Sequence, residues 1–258
     1  MGGLRTFSIA ISGKGGTGKT TLSALLVRAL VDAGRTPVLA VDADPNANLH
    51  EALGVRLHET LGCMRETEFR RNIPPGMARN DYIELCFRRA LVEEKGFDLV
   101  AMGRPEGSGC YCFANDLLKT CMTLLRRDYR FIVIDNEAGM EHLSRGTIGQ
   151  PDIIVIVSDP GTRGMRTAVR IRDMAQSLGL STVPVFLVIN RFKGTDASVI
   201  AWEPFALIPE DPEIEAAEIS GLPVGSVKEG SVARKAVSRL AEQIIAMAEE
   251  RAGNRPDR

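Results

Sequence analysis

The sequence predicts a doubly wound α/β fold, in which helices cover both faces of a mainly parallel sheet. Apolar, strand-favouring runs recur along the chain and are apolar on both faces, as in strands buried on both sides. Segments with helical periodicity, such as residues 19–33 and 163–178, separate these runs. The predicted strands cover residues 6–12, 37–42, 97–102, 131–135, 153–158 and 183–190, with 205–208 as a candidate seventh.

Composition is that of an ordinary globular protein, with 258 residues, 44% of them hydrophobic and 25% charged. We expect one domain over residues 1–252, with a helical insertion at 50–96 and a polar tail at 253–258. The last predicted helix, about residues 231–251, places apolar side chains on one face, and we expect that face to pack against the sheet.

Charge and targeting signals point to a cytoplasmic protein. The 32 basic and 33 acidic residues give a net charge of -1, which provides no overall field to attract nucleic acid or a membrane surface. The N-terminus turns polar and glycine-rich after a short apolar run, unlike a signal peptide or a membrane span. The five cysteines, an odd number, suit a reducing compartment.

Residues 13–20, GKGGTGKT, match the GxxxxGK[ST] phosphate-binding loop (P-loop), and they follow a predicted strand and open a predicted helix. Glycines in such a loop let backbone N–H groups point at phosphate oxygens. We expect Lys19 to reach the β- and γ-phosphates, Thr20 to bind Mg²⁺ and Thr21 to donate to the α-phosphate. The predicted nucleotide-binding residues here are Gly13, Gly15, Gly16, Thr17, Gly18, Lys19, Thr20 and Thr21.

An additional lysine, Lys14, is not required by an ordinary P-loop. With it, the loop resembles that of the MinD, ParA and nitrogenase-iron-protein class. The resemblance implies a homodimer that closes face to face over two nucleotides, with Lys14 crossing to the partner's ATP. There it would supply positive charge where phosphoryl transfer develops negative charge. The alternative is a solvated surface lysine.

Two further segments resemble the switch regions of the same class. By this match Asp44, in VDADPNANL at residues 41–49, would orient or deprotonate the attacking water, and Asp42 would support Mg²⁺. The run FIVID ends in Asp135, the expected second carboxylate on the metal side. The class more often reads DTPAG or DLPPG after this strand, so Asn136 and Glu137 depart from its pattern.

The adenine site is predicted from two later segments. Asn190 at the end of VFLVIN, together with Pro209, Glu210 and Asp211 of IPED, resembles the adenine-binding positions of these ATPases. A guanine-specific protein would typically carry an NKxD motif, whereas Asn190 is followed by Arg-Phe-Lys. We therefore expect ATP and ADP as ligands.

Cys110 and Cys112 form a CxC motif between the third predicted strand and a helix. Two thiolates fall short of the four ligands that Zn²⁺ or Ni²⁺ prefers, and a two-fold axis near the motif would supply the other two. Here the chain resembles the CooC-type nickel-insertion ATPases. The resemblance implies nickel bound by Cys110 and Cys112, and carbon monoxide dehydrogenase as client.

The remaining candidate ligands are assigned other roles. Cys63, Cys86 and Cys121 lie in or beside predicted helices and are expected to be packing residues, and His142 is expected to be a polar switch residue. Two alternatives stay open for the function. One is a reductase whose dimer shares an iron–sulfur cluster, and the other is a positioning ATPase of the MinD or ParA type.

Overall fold

The structure is a computed structural model that describes residues 6–63, 73–104, 111–139, 149–194 and 202–253. At residues 111–113, 121 and 124–125 it describes the backbone alone.

Eight strands form one sheet in the order β3-β4-β2-β5-β1-β6-β7-β8, and every neighbouring pair is parallel except β3 and β4. This architecture confirms the doubly wound fold, including the candidate seventh strand. The strands are β1 Phe7–Gly13, β2 Val38–Asp42, β3 Val92–Glu94, β4 Phe97–Ala101, β5 Phe131–Asp135, β6 Ile153–Ser158, β7 Val185–Phe192 and β8 Ala206–Pro209.

Helices lie on both faces of the sheet, each face with its own apolar core. Side chains of α1, α2 and α7 fill the core on one face, and side chains of α3, α4 and α5 fill the other. The helices are α1 Lys19–Asp32, α2 Leu49–Leu53, α3 Arg79–Ala90, α4 Tyr111–Leu125, α5 Thr162–Ser177, α6 Pro212–Ile219 and α7 Val232–Gly253.

The segment predicted as a helical insertion also contains a strand. Strand β3 pairs antiparallel with β4 through a tight turn at Lys95 and Gly96, and the φ of +89° at Gly96 favours glycine there. Sequence patterning missed β3 because it is three residues long and carries Glu93 and Glu94. Such charges are typical of a sheet edge, where they discourage pairing with another chain.

The last helix packs against α1 and the sheet, with Val237, Leu240 and Ile244 almost fully buried. Val232, predicted on the same packed face, is instead 51% exposed because the buried stripe of the helix begins with the adjacent Ala233, which points in a different direction around the helix axis. In the part of the chain that the structure describes, no helix has the length and apolar character needed to cross a membrane.

The carboxyl ends of the parallel strands meet at one edge of the sheet. Asp42 at the end of β2 is in register with Asp135 at the end of β5, which is in register with Ile11 of β1. Ligands of open α/β sheets bind at this edge. The fold therefore brings the P-loop and both predicted magnesium carboxylates together.

Candidate functional site

The P-loop follows β1 and begins α1, and two of its glycines have no room for a side chain. A Cβ at Gly13 would lie 2.3 Å from the carbonyl oxygen of Val157. Gly18 immediately precedes α1 with a φ of +86°, and a Cβ there would lie 2.3 Å from the amide nitrogen of Asn190. Both positions therefore require glycine.

The two lysines of the loop have different surroundings. Lys19 is only 8% exposed, and its Nζ lies 3.4 Å from the carbonyl oxygen of Lys14, so the side chain curls back across the loop. The hydroxyl of Thr17 donates to the same carbonyl at 2.9 Å. The Lys14 side chain is exposed. Lys19 thus lies inside the cradle, and Lys14 is available to a second molecule.

Two buried carboxylates lie side by side at the strand ends. The oxygens of Asp42 accept hydrogen bonds from the backbone N–H groups of Asp44 at 3.1 Å and Leu49 at 2.8 Å. Burial, and then the charge of the neighbouring Asp135, raise the pKa of Asp42 above its usual range. Burial likewise raises the pKa of Asp135, against the opposing effects of the Thr20 hydroxyl and the Lys19 ammonium.

The two buried carboxylates and the neighbouring Thr20 hydroxyl fit a divalent cation. Oδ1 of Asp135 is buried and has no hydrogen-bond partner within the described residues, although a buried oxygen is normally paired. The hydroxyl of Thr20 lies against the same carboxylate. Hard cations such as Mg²⁺ prefer oxygen ligands. The oxygens of Thr20, Asp42 and Asp135 are thus of the kind that would suit Mg²⁺ beside a bound nucleotide.

Asp44 lies at the rim of this cluster and is half-buried. Its Oδ1 accepts from the backbone and side-chain N–H groups of Asn46 at 2.8 and 2.9 Å. The guanidinium of Arg104 donates in turn to Oδ1 of Asn46. The residue predicted to handle the attacking water is therefore held in place by a polar neighbour, and it lines the cavity.

The segment after β5 is fixed to the P-loop strand. Asn136, a departure from the usual pattern, is buried and donates through its side chain to the carbonyl oxygen of Ile11 at 2.9 Å. Gly139, with a φ of +100°, donates its N–H to Gly13 at 3.3 Å. Asn136 and Gly139 thus connect this switch segment to β1 and to the first residue of the P-loop.

A cavity of about 770 Å³ lies along this edge and is large enough for a nucleotide. It extends from Asp44 and Glu137 at one end, past the P-loop, to Asn190 and the 208–211 segment at the other. Most of the predicted P-loop and adenine positions line it. They are Gly15, Gly16, Gly18, Lys19, Thr20, Thr21, Asn190, Pro209, Glu210 and Asp211.

Asp211 lines the cavity, but its carboxylate has a structural role. Oδ1 accepts the backbone N–H of Glu213 at 2.9 Å, and Oδ2 accepts the hydroxyl of Ser231 at 2.6 Å and the N–H of Ala233 at 2.9 Å. These bonds cap the N-termini of α6 and α7. A role for the Asp211 side chain in binding adenine therefore has no support from this geometry, which leaves the backbone of residues 208–211 for that contact.

Thr21 is held by a residue that the motif did not indicate. Its hydroxyl, expected to donate to the α-phosphate, donates to Oε1 of Glu218 on α6 at 2.7 Å. A phosphate contact would have to replace this bond. Further residues in the cavity wall were also not predicted, among them Asn46, Asn48 and Arg191. Asn46 and Asn48 adjoin Asp44 in the predicted switch, whereas nothing in the sequence pattern marks Glu218.

The predicted CxC site falls largely outside the described residues, which exclude Cys110 and His142 and cover the backbone alone at Cys112 and Cys121. Within those residues, no group of three or more His, Cys, Asp or Glu side chains has metal-binding geometry. Cys86 is buried, as predicted for a packing residue. The same prediction is wrong for Cys63, which is exposed although Leu61 and Gly62 of its 3₁₀ turn are buried, and its Sγ lies 3.1 Å from Oγ1 of Thr60.

Comparison with known proteins agrees with a nucleotide-binding site. Residues 8–224 match the CobQ/CobB/MinD/ParA nucleotide binding domain. Over 248 residues the chain is 40% identical to an uncharacterised ATP-binding protein of Methanocaldococcus jannaschii, covering 92% of this chain and 98% of that protein. Over 238 residues it is 35% identical to the carbon monoxide dehydrogenase accessory protein CooC of Rhodospirillum rubrum, covering 83% and 88% respectively.

Among solved structures, the septum site-determining protein MinD of Pyrococcus horikoshii OT3, complexed with Mg-ADP, superposes with a TM-score of 0.69. The two chains are 26% identical, and the match covers 95% of this chain and 98% of that one. With a P-loop, paired carboxylates and a nucleotide-sized cavity at the carboxyl edge, the chain belongs to the CobQ/CobB/MinD/ParA family of nucleotide-binding P-loop ATPases.

Proposed function

We propose that this protein is an ATP-hydrolysing metallochaperone that carries nickel at a CxC site shared between two subunits and delivers it to a nickel enzyme such as carbon monoxide dehydrogenase. The observation that carries the proposal is the 35% identity to the accessory protein CooC, over most of both chains, in a sequence that also contains the CxC pair. Nickel is the cargo, and ATP hydrolysis supplies the free energy for its transfer.

The point at which the chain leaves β4 towards the CxC motif favours coupling to ATP. Strand β4 pairs with β2 and ends at Ala101, so the chain towards Cys110 leaves the sheet at the edge that holds the nucleotide site. Just beyond β4, the N–H of Met102 donates to the carbonyl oxygen of Asp42 at 2.8 Å. A change in the backbone at Asp42 would therefore be transmitted to the start of this segment.

In hydrolysis, the N–H groups of the P-loop and the Lys19 ammonium would hold the β- and γ-phosphates, and Asp44 would orient the water for attack on the γ-phosphorus. Thr20, Asp42 and Asp135 would hold Mg²⁺, which when bound supplies positive charge to the phosphate oxygens. Lys14 of the partner subunit would add a second charge where the transition state is most negative. ADP and phosphate are the products.

Ligand number is the physical reason for a dimer. A CxC pair supplies two thiolates, and soft metals bound by thiolates usually have four ligands in their first shell. Two copies related by a two-fold axis would supply four sulfurs to one ion. Closure over ATP would bring the two pairs together, and opening after hydrolysis would expose the ion to its client.

The test is an anaerobic Ni²⁺ titration with ADP and with a non-hydrolysable ATP analogue, followed by sedimentation to fix the subunit number. We expect one tightly bound Ni²⁺ per dimer, lost in the double variant Cys110→Ala/Cys112→Ala. Cys63→Ser is the matched control, because it removes an exposed thiol outside the motif. Full metal stoichiometry in the double variant would contradict the proposal. Bound zinc would leave the site in place and change its cargo, because thiolate sites accept both metals.

A second candidate is a positioning ATPase, favoured by the match to MinD across 95% of this chain. It accounts for the P-loop and for dimerisation and assigns no task to Cys110 and Cys112. ATP-dependent pelleting with anionic liposomes or DNA, together with the absence of stoichiometric nickel binding, would select this candidate. An iron–sulfur reductase would instead give a cluster absorption spectrum and ATP-dependent electron delivery.

A further inference from the structure

The end of strand β7 has an irregular backbone at the wall of the nucleotide cavity. Two of its residues, Asn190 and Arg191, stand opposite the single β8 residue Ile208, which makes a bulge in a parallel pair. Arg191 has a φ of +54°, a left-handed conformation that strains a residue with a Cβ. An arginine in this conformation needs a physical explanation.

The bulge directs two consecutive side chains to the same loop. Successive side chains of a regular strand point to opposite faces of the sheet. Here the side-chain amide of Asn190 donates to the carbonyl oxygen of Thr17 at 2.9 Å, and the guanidinium of Arg191 donates to the carbonyl oxygen of Gly16. Both acceptors belong to the P-loop, and Arg191 also lines the cavity.

Gly16 lies at the exposed apex of the loop, where a side chain would meet no neighbour. Its φ is +79°, and no atom lies within 4 Å of the position that a Cβ would occupy. Glycine has no Cβ to restrict φ and ψ, so it can sample many backbone conformations. A planar guanidinium with several fixed donors restricts its acceptor more than a flexible ammonium does. The hydrogen bond from Arg191 therefore limits the conformations of the loop apex.

We propose that Arg191 is a positioning residue of the nucleotide site, which fixes the P-loop apex through Gly16 so that the loop N–H groups face the phosphates. Glycine would relieve the backbone strain at this position but could not reach Gly16. Strained residues persist where the surroundings impose them, and they cluster at ligand-binding sites. The inference rests on the nucleotide-binding part of the proposed function and is independent of nickel.

Three variants separate the backbone strain from the contact with the loop. Arg191→Gly removes both, Arg191→Ala removes only the contact, and Arg191→Lys keeps a donor. We expect the Gly variant to melt no lower than the wild type and to bind ATP and ADP about tenfold more weakly. The Ala variant should bind as weakly and melt below the Gly variant. The Lys variant should recover part of the affinity.

The kinetics and the ligand series test how Arg191 acts. Because the loop holds the phosphates in the ground state and the transition state alike, KM for ATP should rise while kcat changes by less than about twofold. Competition by adenosine, which has no phosphate, should be the same in the wild type and the Gly variant. Arg88→Ala is the control, because this exposed arginine pairs with Glu84 on α3.

Unchanged ATP affinity in the Arg191→Gly variant would overturn the inference. An equal loss of adenosine and ATP affinity would also overturn it, because Arg191 would then act on the base and not through the loop. A wild-type protein that binds no ATP would refute the proposed function together with the inference, whereas an unaffected Gly variant would refute the inference alone.

Discussion

A single carboxylate, that of Asp211, ties the starts of two helices to the end of the sheet. It caps α6 through Glu213 and reaches the first turn of α7 through Ser231 and Ala233. Burial tends to raise the pKa of Asp211, but the hydrogen bonds from these groups outweigh it and hold the pKa below its usual value. The charged form is therefore stabilised by the folded state.

We predict that Asp211→Ala lowers the free energy of unfolding by about 2 kcal/mol, since it removes one cap and bonds to a charged acceptor. Because the pKa is lowered on folding, this contribution is present above the unfolded pKa and is lost as pH falls through the folded pKa. Urea unfolding at pH 7 and at a pH below the ordinary carboxyl pKa of 3.8 would measure it. Asp173→Ala on the exposed face of α5 is the control, and equal stability of wild type and Asp211→Ala at pH 7 would contradict the prediction.

At the scale of elements, a chain of side-chain hydrogen bonds connects the first switch segment to the segment after β4. Asn46 holds Asp44, and Arg104 holds Asn46. Arg104 lies six positions before Cys110 in the sequence. A change at Asp44 when the γ-phosphate leaves would therefore reach Arg104, from which the chain continues towards the proposed metal-binding segment.

Arg104→Ala should therefore separate hydrolysis from metal release. We expect ATPase activity within about threefold of wild type, because Arg104 contacts Asn46 and not Asp44 itself. We also expect the ratio of Ni²⁺ affinities with the ATP analogue and with ADP to fall towards one. Anaerobic titrations with both nucleotides would measure this ratio, with Arg88→Ala as control. An unchanged ratio would exclude this route, and absent nickel binding in the wild type would instead count against the proposed function.

At the scale of the whole molecule, the exposure of Lys14 distinguishes it from the enclosed Lys19. A lysine pointing to solvent beside a nucleotide cavity can contact a second copy of the chain, whereas Lys19 can serve only its own nucleotide. If two copies close over ATP, each would complete the other's site.

We predict that Lys14→Ala binds ADP normally but stays a monomer with a non-hydrolysable ATP analogue. Asp44→Ala should bind ATP and persist as a dimer, because hydrolysis is slowed by at least about tenfold. Sedimentation with each nucleotide would measure the subunit number. Lys95→Ala is the matched control, since Lys95 lies in the β3–β4 turn at the amino end of β4, far from the carboxyl edge. A dimeric Lys14→Ala protein would refute the role of Lys14.

The amino-acid sequence by itself determined the P-loop, its glycines and every strand of the sheet except β3. These features depend on short-range properties, since a buried strand needs a continuous apolar run and a phosphate cradle needs glycines at fixed spacings. The Asp42 and Asp135 pair was also predictable, because each residue ends a recognisable strand. Strand β3 was not, since three residues carry no periodicity.

Only the tertiary structure decided the roles of residues whose partners are distant in sequence. Asp211, predicted among the adenine-binding positions, lines the cavity and also caps two helices, because Ser231 comes within 2.6 Å of its carboxylate only in the folded chain. Arg191 reaches Gly16 across 175 positions of sequence, through a bulge that no local pattern marks. Hydrogen bonds between such residues depend on strand order and register, which are set by packing of the whole chain.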